Sequence, residues 1–314
     1  MKRVPLAMVL SIAFTMGLRA PAAEVPDAGL IQVMVTYQES DPFLPWQMTP
    51  PGVRVGYGVY VGPAQVLTTE SLVRNHRLVE LRRPRTGEKI QASVVLSDCQ
   101  VNLALLKVEG IARMDGVPTL PLAEALDRKT KVEILQFDEL SQTLRGEARV
   151  LNVAMADLPR APYQSLTFDL LTDLNVNGEG AAVAKDGKLA GLIMSHDQVA
   201  RIAAMIPYPV IRRFMQDAVK PVYPGSASAG FFWTTLVDPA KRSYLKVDAP
   251  GKGILITSCI PGTGASEVLK PNDVILEWDG HPVDNLGYYD DEDFGRLAVS
   301  YLIKGRRAPG DTIP

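Results

Sequence analysis

Short runs of apolar residues recur along most of the chain, and turn-forming residues separate them. Beyond residue 28 these runs are rich in Val and Leu and are interrupted by Gly, Pro, Asn and Asp. Short strands at such spacing are typical of an all-β sandwich or barrel. One set runs from LIQVMVTY to NLALLKVEG and a second from KVEILQF to ARIAAMIP. The pattern predicts two β-barrels in tandem, at 28–115 and 128–206.

The apolar period changes from that of a strand to that of a helix after the second set. In PYPVIRRFMQDAVK, the residues Ile211, Phe214 and Met215 form one stripe, which predicts a helix over 207–220. The next segment, PVYPGSASAG, is rich in Pro, Gly and Ser and indicates a linker. A third unit follows over 225–314, in which strand, turn, short helix, turn and strand succeed one another.

The N-terminus has the pattern of an export signal. Lys2 and Arg3 precede the apolar run Val4–Leu18, and small residues lead to a cleavage site after Ala22. The apolar run is short for a membrane span of about 20 residues, which favours a cleaved signal at 1–22 over a membrane anchor. We therefore expect an exported protein, periplasmic or extracellular, with no integral membrane span after signal removal.

Composition and charge suit a globular protein. The 314 residues are 46% hydrophobic and 22% charged, with a formal net charge of -2, so well-packed cores are expected. No basic block is present, and nucleic acid as a partner has no electrostatic support. The two cysteines, Cys99 and Cys259, exclude a disulfide framework, and we expect each to be a small buried residue.

Several motifs, taken in order and spacing, resemble the HtrA/Deg family of trypsin-like serine proteases. They are GYGVYVGPAQVLTT, VNLALLKV, NGEGAAVAKDGKLAGL and IPYPVI, while FLPWQ, VDPAKR and EVLKPNDVILEWDG are similar to the plant-type Deg branch. The resemblance implies a mainly β fold: a trypsin-like double six-stranded β-barrel domain at 28–220, followed by a PDZ-like α+β domain at 225–314. The family continues beyond the point where this sequence ends, so we expect the PDZ domain to be C-terminally incomplete.

The sequence departs from the family at the catalytic triad. A serine nucleophile needs an imidazole base, which a buried carboxylate orients. The resemblance places Ser71 on the histidine, Asn102 on the aspartate and Glu179 on the serine. An alignment on the following hairpin turn places Gly178 on the serine instead. Neither alignment supplies a hydroxyl nucleophile.

No histidine is well placed to replace the missing base. His76 follows Ser71 by five residues, which on a helical turn would place it on a different face. His196 follows a predicted strand, and His281 lies in the third unit. Loss of the nucleophile or base of a triad removes roughly a millionfold of rate. We therefore expect a pseudoprotease without catalytic residues, and an endopeptidase with a rearranged site is the alternative.

Two acidic features invite other roles. Glu179 either accepts backbone N–H groups and plugs the oxyanion hole, or points to solvent on a drifted loop. The run Asp290–Asp293 lacks the alternating ligands and central glycine of a calcium loop. We predict a solvated loop there, with no metal and no other cofactor.

The resemblance assigns peptide binding to the third unit. A PDZ domain adds a peptide as a strand at a sheet edge, and a loop of N–H groups receives the carboxylate. The segment SAGFFW would supply this loop and strand, with Ala229, Gly230, Phe231 and Phe232 as candidate binding residues. At least one of the two phenylalanines should be buried, since neighbours on a strand face opposite ways. The expected ligands are peptides or unfolded protein segments.

An aromatic segment near the N-terminus is a candidate assembly contact. Phe43 and Trp46 lie in DPFLPWQMTP, and the resemblance implies a role in trimer formation. Packing of these residues on the chain's own barrel is the alternative. We expect a peptide- or protein-binding module of the cell envelope, or a structural subunit of a mixed protease oligomer.

Overall fold

Two closed six-stranded antiparallel barrels dominate the computed structural model, which describes residues 29–83, 87–110, 118–126, 129–248 and 250–313. The expected signal at 1–22 lies outside these residues. The first barrel consists of β1 (Leu30–Tyr37), β2 (Gly52–Gly62), β3 (Gln65–Thr68), β4 (His76–Arg82), β5 (Lys89–Asp98) and β6 (Leu103–Val108). The second consists of β7 (Lys131–Phe137), β8 (Thr143–Asp157), β9 (Gln164–Thr172), β10 (Ala182–Lys185), β11 (Lys188–Asp197) and β12 (Ile202–Pro207). The predicted mainly β double-barrel fold is confirmed.

Both barrels have the same strand order, and they share an interface through β2. Their orders are β1-β2-β3-β6-β5-β4 and, from the other end, β7-β8-β9-β12-β11-β10. Burial alternates at the start of β2 and then becomes continuous. Tyr60 packs in the core of the first barrel, whereas Tyr57 and Val59 pack in the core that contains the second barrel. Both faces of β2 are thus covered, because successive side chains point to opposite sides.

The helices are short, and three of those that the structure describes contact barrel strands. They are α1 (Glu70–Val73), α2 (Tyr208–Ala218), α3 (Pro239–Tyr244), α4 (Gly264–Val268) and α5 (Ser300–Lys304). Helix α2 lies within the predicted 207–220 and buries Ile211 and Phe214. Within the part of the chain that the structure describes, no helix combines the length and apolar character needed to cross a membrane.

The third unit is built from small antiparallel sheets. Its strands are β13 (Phe231–Thr235), β14 (Ile254–Cys259), β15 (Val274–Ile275), β16 (Glu277–Trp278), β17 (His281–Pro282), β18 (Tyr288–Asp291) and β19 (Gly295–Ala298). In the three-stranded sheet, β14 is central and β13 lies at an edge. Strand β13 therefore pairs within this sheet along one side only.

The third unit packs directly on the second barrel. The ring of Phe294 lies 5.6 Å from that of Phe168 on β9 and 5.8 Å from that of Tyr301 on α5, measured between centroids. Arg213 of α2 donates to the carbonyl oxygens of Lys304, at 3.2 Å, and of Arg307. One apolar core runs through both units, so the predicted domain division near 220–225 stays a prediction.

Candidate functional site

The three positions that the resemblance aligns with the triad meet at the junction of the barrels. Ser71 lies on α1, Asn102 in the turn before β6, and Glu179 in the turn before β10. The Ser71 hydroxyl donates to Glu179 Oε2 at 2.6 Å, and the Ser71 backbone N–H donates to Asn102 Oδ1 at 2.8 Å. Three residues distant in sequence thus form one hydrogen-bond network.

The first barrel fixes Ser71 and Asn102, the buried members of this network. Ser71 is fully buried and Asn102 is 1% exposed. The backbone of Asn102 is left-handed, with φ at 54°, a conformation that asparagine tolerates better than most residues. Its carbonyl oxygen accepts the N–H of Glu70 at 3.2 Å. Among the described residues, Asn102 Nδ2 has no hydrogen-bond partner.

The Glu179 side chain is half-buried and reaches toward the first barrel. Within the described ranges, its hydrogen bonds come from the hydroxyls of Ser71 and, at 3.4 Å, of Thr69. Both interpretations of Glu179 from the sequence are therefore wrong, since among the described residues its carboxylate accepts two hydroxyls and no backbone N–H, and it does not point freely to solvent. The glutamate side chain is long enough for its carboxylate to reach the Ser71 hydroxyl across the junction. Glu179, not Gly178, is the residue that faces Ser71.

Close backbone contacts hold the turn that carries Glu179. The carbonyl oxygen of Glu179 accepts the Tyr57 N–H at 2.8 Å, and the Gly180 N–H donates to Ile193 O at 2.7 Å. Gly180 has a φ of 80°, and a Cβ at this position would lie 2.0 Å from the carbonyl oxygen of Tyr57. Only glycine permits both this conformation and this approach of β2.

A second network, which the sequence analysis missed, anchors the turn from the other side. Gln136 on β7 is 1% exposed. Its Oε1 accepts the N–H of Asn177 at 3.1 Å, and its Nε2 donates to Asn175 O at 2.9 Å. The Tyr57 hydroxyl donates to Asn177 Oδ1 at 2.6 Å. Burial raises the pKa of Tyr57, so the hydroxyl keeps its proton at neutral pH.

Arg74 forms an ion pair beside this junction. It binds the buried carboxylate of Glu70 through Nε at 2.9 Å and through Nη2 at 2.5 Å, and its Nη1 donates to Arg160 O. The hydrogen bonds to Glu70 raise the pKa of Arg74. The spacing of four residues on a helical turn is a sequence signal that would have revealed this pair.

The histidines lie at three separate places. His76 begins β4, is exposed, and has Nδ1 3.0 Å from Val73 O. His196 is half-buried near the end of β11, and neither ring nitrogen has a partner among the described residues. The ring of His281 lies 5.2 Å from that of Tyr289. The hydrogen bonds of the described residues do not join a histidine to Ser71 or Glu179.

The four candidate binding residues surround the start of β13. Phe231 is 7% exposed and its ring lies 5.0 Å from that of Trp278, whereas Phe232 is 60% exposed. The expectation that one phenylalanine is buried is confirmed. Phe231 packs in the core, and its role in ligand binding stays a prediction. Ala229 is half-buried, and Gly230 has a φ of 74°.

Two further expectations need correction. Asp291 in the acidic run is 4% exposed rather than solvated, because it ends β18 and accepts hydrogen bonds from the Tyr289 hydroxyl, from two backbone N–H groups and from Arg306. Cys99 and Cys259 are free and half-buried rather than fully buried. In the ranges that the structure describes, no three His, Cys, Asp or Glu side chains are grouped to hold a metal ion.

The sequence relatives of this chain include proteases of the Do-like type. The chain is 25% identical over 296 residues to the chloroplastic protease Do-like 2 of Arabidopsis thaliana, covering 91% of this chain and 49% of that protein. It is 23% identical over 259 residues to the mitochondrial protease Do-like 4 of the same organism, covering 80% and 49%. The chain thus spans about half the length of these relatives. No family model matches it.

The solved structures agree with the barrels. A serine-to-alanine variant of the HtrA-type protease AlgW with a decapeptide superposes with a TM-score of 0.71, at 17% identity, over 93% of this chain and 90% of that one. This likeness shows the double-barrel fold of that structure. In sequence, the chain is a homologue of the HtrA/Deg proteases.

Proposed function

We propose that this chain is a proteolytically inactive HtrA/Deg homologue that binds polypeptides. The observation that carries the proposal is the hydrogen bond between Ser71 and Glu179. It joins a hydroxyl at the position of the base to a carboxylate at the position of the nucleophile. Ser71 has no imidazole to take its proton, and a carboxylate at Glu179 opposes negative charge on a substrate carbonyl oxygen.

Fluorophosphonate labelling tests the inactivity. The purified chain and an active HtrA-type protease are treated side by side, and casein turnover is measured in parallel. We expect labelling and turnover in the active protease alone. A labelled serine in this chain, identified by mass spectrometry, would instead support an endopeptidase with a rearranged site.

Peptide binding is proposed for the edge of β13, in a PDZ-like domain at 225–314. The exposed ring of Phe232 and the open side of this edge strand support it, since such an edge can pair with an added strand. The probe is a fluorescein-labelled unstructured decapeptide, with a free or an amidated C-terminus, followed by fluorescence anisotropy. We expect Phe232→Ala and amidation each to weaken binding about thirtyfold, the size of an interface hot spot of about 2 kcal/mol.

Tyr244→Ala is the matched control for that measurement, because Tyr244 is an aromatic residue of the same unit and is 84% exposed. This variant should bind the decapeptide as the original chain does. Equal affinity of the Phe232→Ala variant would contradict binding at β13. Phe231 is unsuitable for the test, since replacing a buried ring also destabilises the fold.

A second candidate function, as a subunit of an oligomer, is supported by the aromatic segment before β2. Phe43 is 89% and Trp46 is 76% exposed, so these rings do not pack on the chain's own barrel. Exposed aromatic residues are typical of protein interfaces. Light scattering should give a trimer, alone or mixed with an active homologue, that Phe43→Ser with Trp46→Ser converts to a monomer. Val199→Ser, at a residue 97% exposed, is the control.

We also propose that the protein is exported to the periplasm or the extracellular space. The pattern of residues 1–22 supports this, as does 26% identity over 241 residues to a DegP-like periplasmic serine endoprotease of Halomonas elongata. Expression in a Gram-negative host followed by fractionation tests it. Processed protein outside the cytoplasm is expected, and unprocessed protein in the cytoplasm would contradict the proposal.

A further inference from the structure

The Asn177 N–H is turned toward β7, and we infer that Gln136 holds it there and thereby keeps one donor of the oxyanion hole out of use. In trypsin-like sites this hole consists of the N–H of the nucleophile residue and the N–H two residues before it. The corresponding residues here are Glu179 and Asn177. The inference rests on the proposed inactivity and adds a second cause to it.

The Gln136 amide is committed at both ends. Its oxygen accepts the Asn177 N–H at 3.1 Å and its nitrogen donates to Asn175 O at 2.9 Å. Because Gln136 is 1% exposed, releasing either bond would leave a buried polar group unpaired. The side chain therefore fixes the orientation of the backbone on both sides of Val176.

The side chain of Asn177 is fixed as well. It accepts from the Tyr57 hydroxyl at 2.6 Å and donates to Phe137 O at 2.9 Å. Tyr57 belongs to the first barrel and Phe137 to the second, so both barrels oppose rotation of this peptide. A backbone N–H carries one hydrogen, and the one on Asn177 is already used by Gln136.

The consequence is that restoring the three triad residues alone should not restore full protease activity. Loss of one donor of an oxyanion hole lowers the rate by about a hundredfold to a thousandfold. Gln136 acts through the Asn177 backbone, so it is a positioning residue.

The first test compares Ser71→His/Asn102→Asp/Glu179→Ser with the same triple variant carrying Gln136→Met, which keeps side-chain length and removes both polar groups. The measurement is the rate of fluorophosphonate labelling. We expect the Met variant to label about a hundredfold faster, the value of one donor. Equal rates, including no labelling of either, overturn the inference. Labelling of the unmodified chain would contradict the proposed inactivity alone.

The second test needs no rebuilt site. Amide hydrogen exchange is measured at Asn177 and Tyr57 in the original chain, in Gln136→Met and in Tyr57→Phe. Gln136→Met should accelerate exchange at Asn177 at least about tenfold, as expected for a released hydrogen bond of about 1.4 kcal/mol. The Tyr57 N–H, which donates to Glu179 O, should be unchanged, and Tyr57→Phe should leave Asn177 protected by Gln136.

Two outcomes of the exchange experiment overturn the inference. Unchanged exchange at Asn177 in Gln136→Met means that Gln136 does not hold this N–H. Equal acceleration at Asn177 and at Tyr57 means that Gln136 supports the whole turn and has no specific effect on one donor.

Discussion

The bond between Ser71 and Glu179 links the two barrels at the scale of single residues. Its acceptor is charged and its donor is fully buried, and hydrogen bonds to charged groups contribute about 1.5–3 kcal/mol. A double-mutant cycle with Ser71→Ala and Glu179→Ala should give a coupling free energy of that size. Denaturant unfolding of the four proteins measures it.

Two further variants sharpen that cycle. Glu179→Gln keeps an acceptor without charge, so about half of the coupling should remain. Thr69→Val removes the longer bond of 3.4 Å and should cost less than Ser71→Ala. A coupling free energy near zero would mean that the carboxylate and hydroxyl are independently solvated, and would contradict the interbarrel link.

Asp291 makes the stability of the third unit dependent on pH. Burial disfavours its charge, but the hydrogen bonds from Tyr289 and from two backbone N–H groups, with the nearby Arg306, hold the pKa of Asp291 below its ordinary value. A lowered folded-state pKa gives a contribution that is complete above the unfolded pKa of about 3.9 and is lost as pH falls through the folded pKa. Asp291→Asn should cost about 2 kcal/mol at pH 7.

Thermal unfolding of the original chain and of Asp291→Asn between pH 7 and pH 2 measures this contribution. The two curves should approach each other in acid, since the protonated carboxyl no longer binds Arg306 as a charge. Asp290→Asn is the control, because Asp290 is adjacent in sequence and exposed. A difference that stays constant down to the lowest pH would contradict a role for the ionised form.

At the scale of elements, the turn between β9 and β10 requires glycine at position 180 for two reasons, the left-handed backbone conformation and the close approach of β2. Gly180 lies in this turn and Gly187 in the next one, between β10 and β11, and their φ values are nearly the same, 80° and 78°, but a Cβ would meet Tyr57 O only at Gly180. Gly187→Ala should therefore cost about 1 kcal/mol, the strain of the left-handed conformation. Gly180→Ala adds a steric clash and should cost several times more in thermal unfolding. Equal costs would mean that β2 can move away from the turn.

The barrel strands could be predicted because each carries its own signal. In β1 and β5 buried positions alternate with more exposed ones over part of the strand, and in β8 and β9 apolar residues are grouped in segments bounded by turns. The burial of Asp291, at the end of β18, could not be predicted, since DDED has the composition of a solvated loop. Asp291 is paired with Arg306, 15 residues further along the chain, and a local pattern contains no information about that partner.

At the scale of the whole molecule, the candidate site was predictable in part. The positions of Ser71, Asn102 and Glu179 follow from motif order, and the structure brings them together. The contact between Tyr57 and Asn177 spans 120 residues, and neither residue type is unusual for its strand or turn. Such a network exists only after the barrels have packed, so the sequence predicted the place of the site but not what holds it.

We expect the attachment of the third unit to the second barrel to depend on Arg213, which donates to the carbonyl oxygens of Lys304, at the end of α5, and of Arg307, just beyond it. A charged donor at a helix C-terminus also complements the helix dipole. Arg213→Ala should therefore loosen the unit, seen as faster amide exchange in α5 and easier proteolysis of the linker. Arg212→Ala is the control, because Arg212 lies on the same helix but donates to Ala123 O. Equal exchange in both variants would show that the ring contacts of Phe294 suffice.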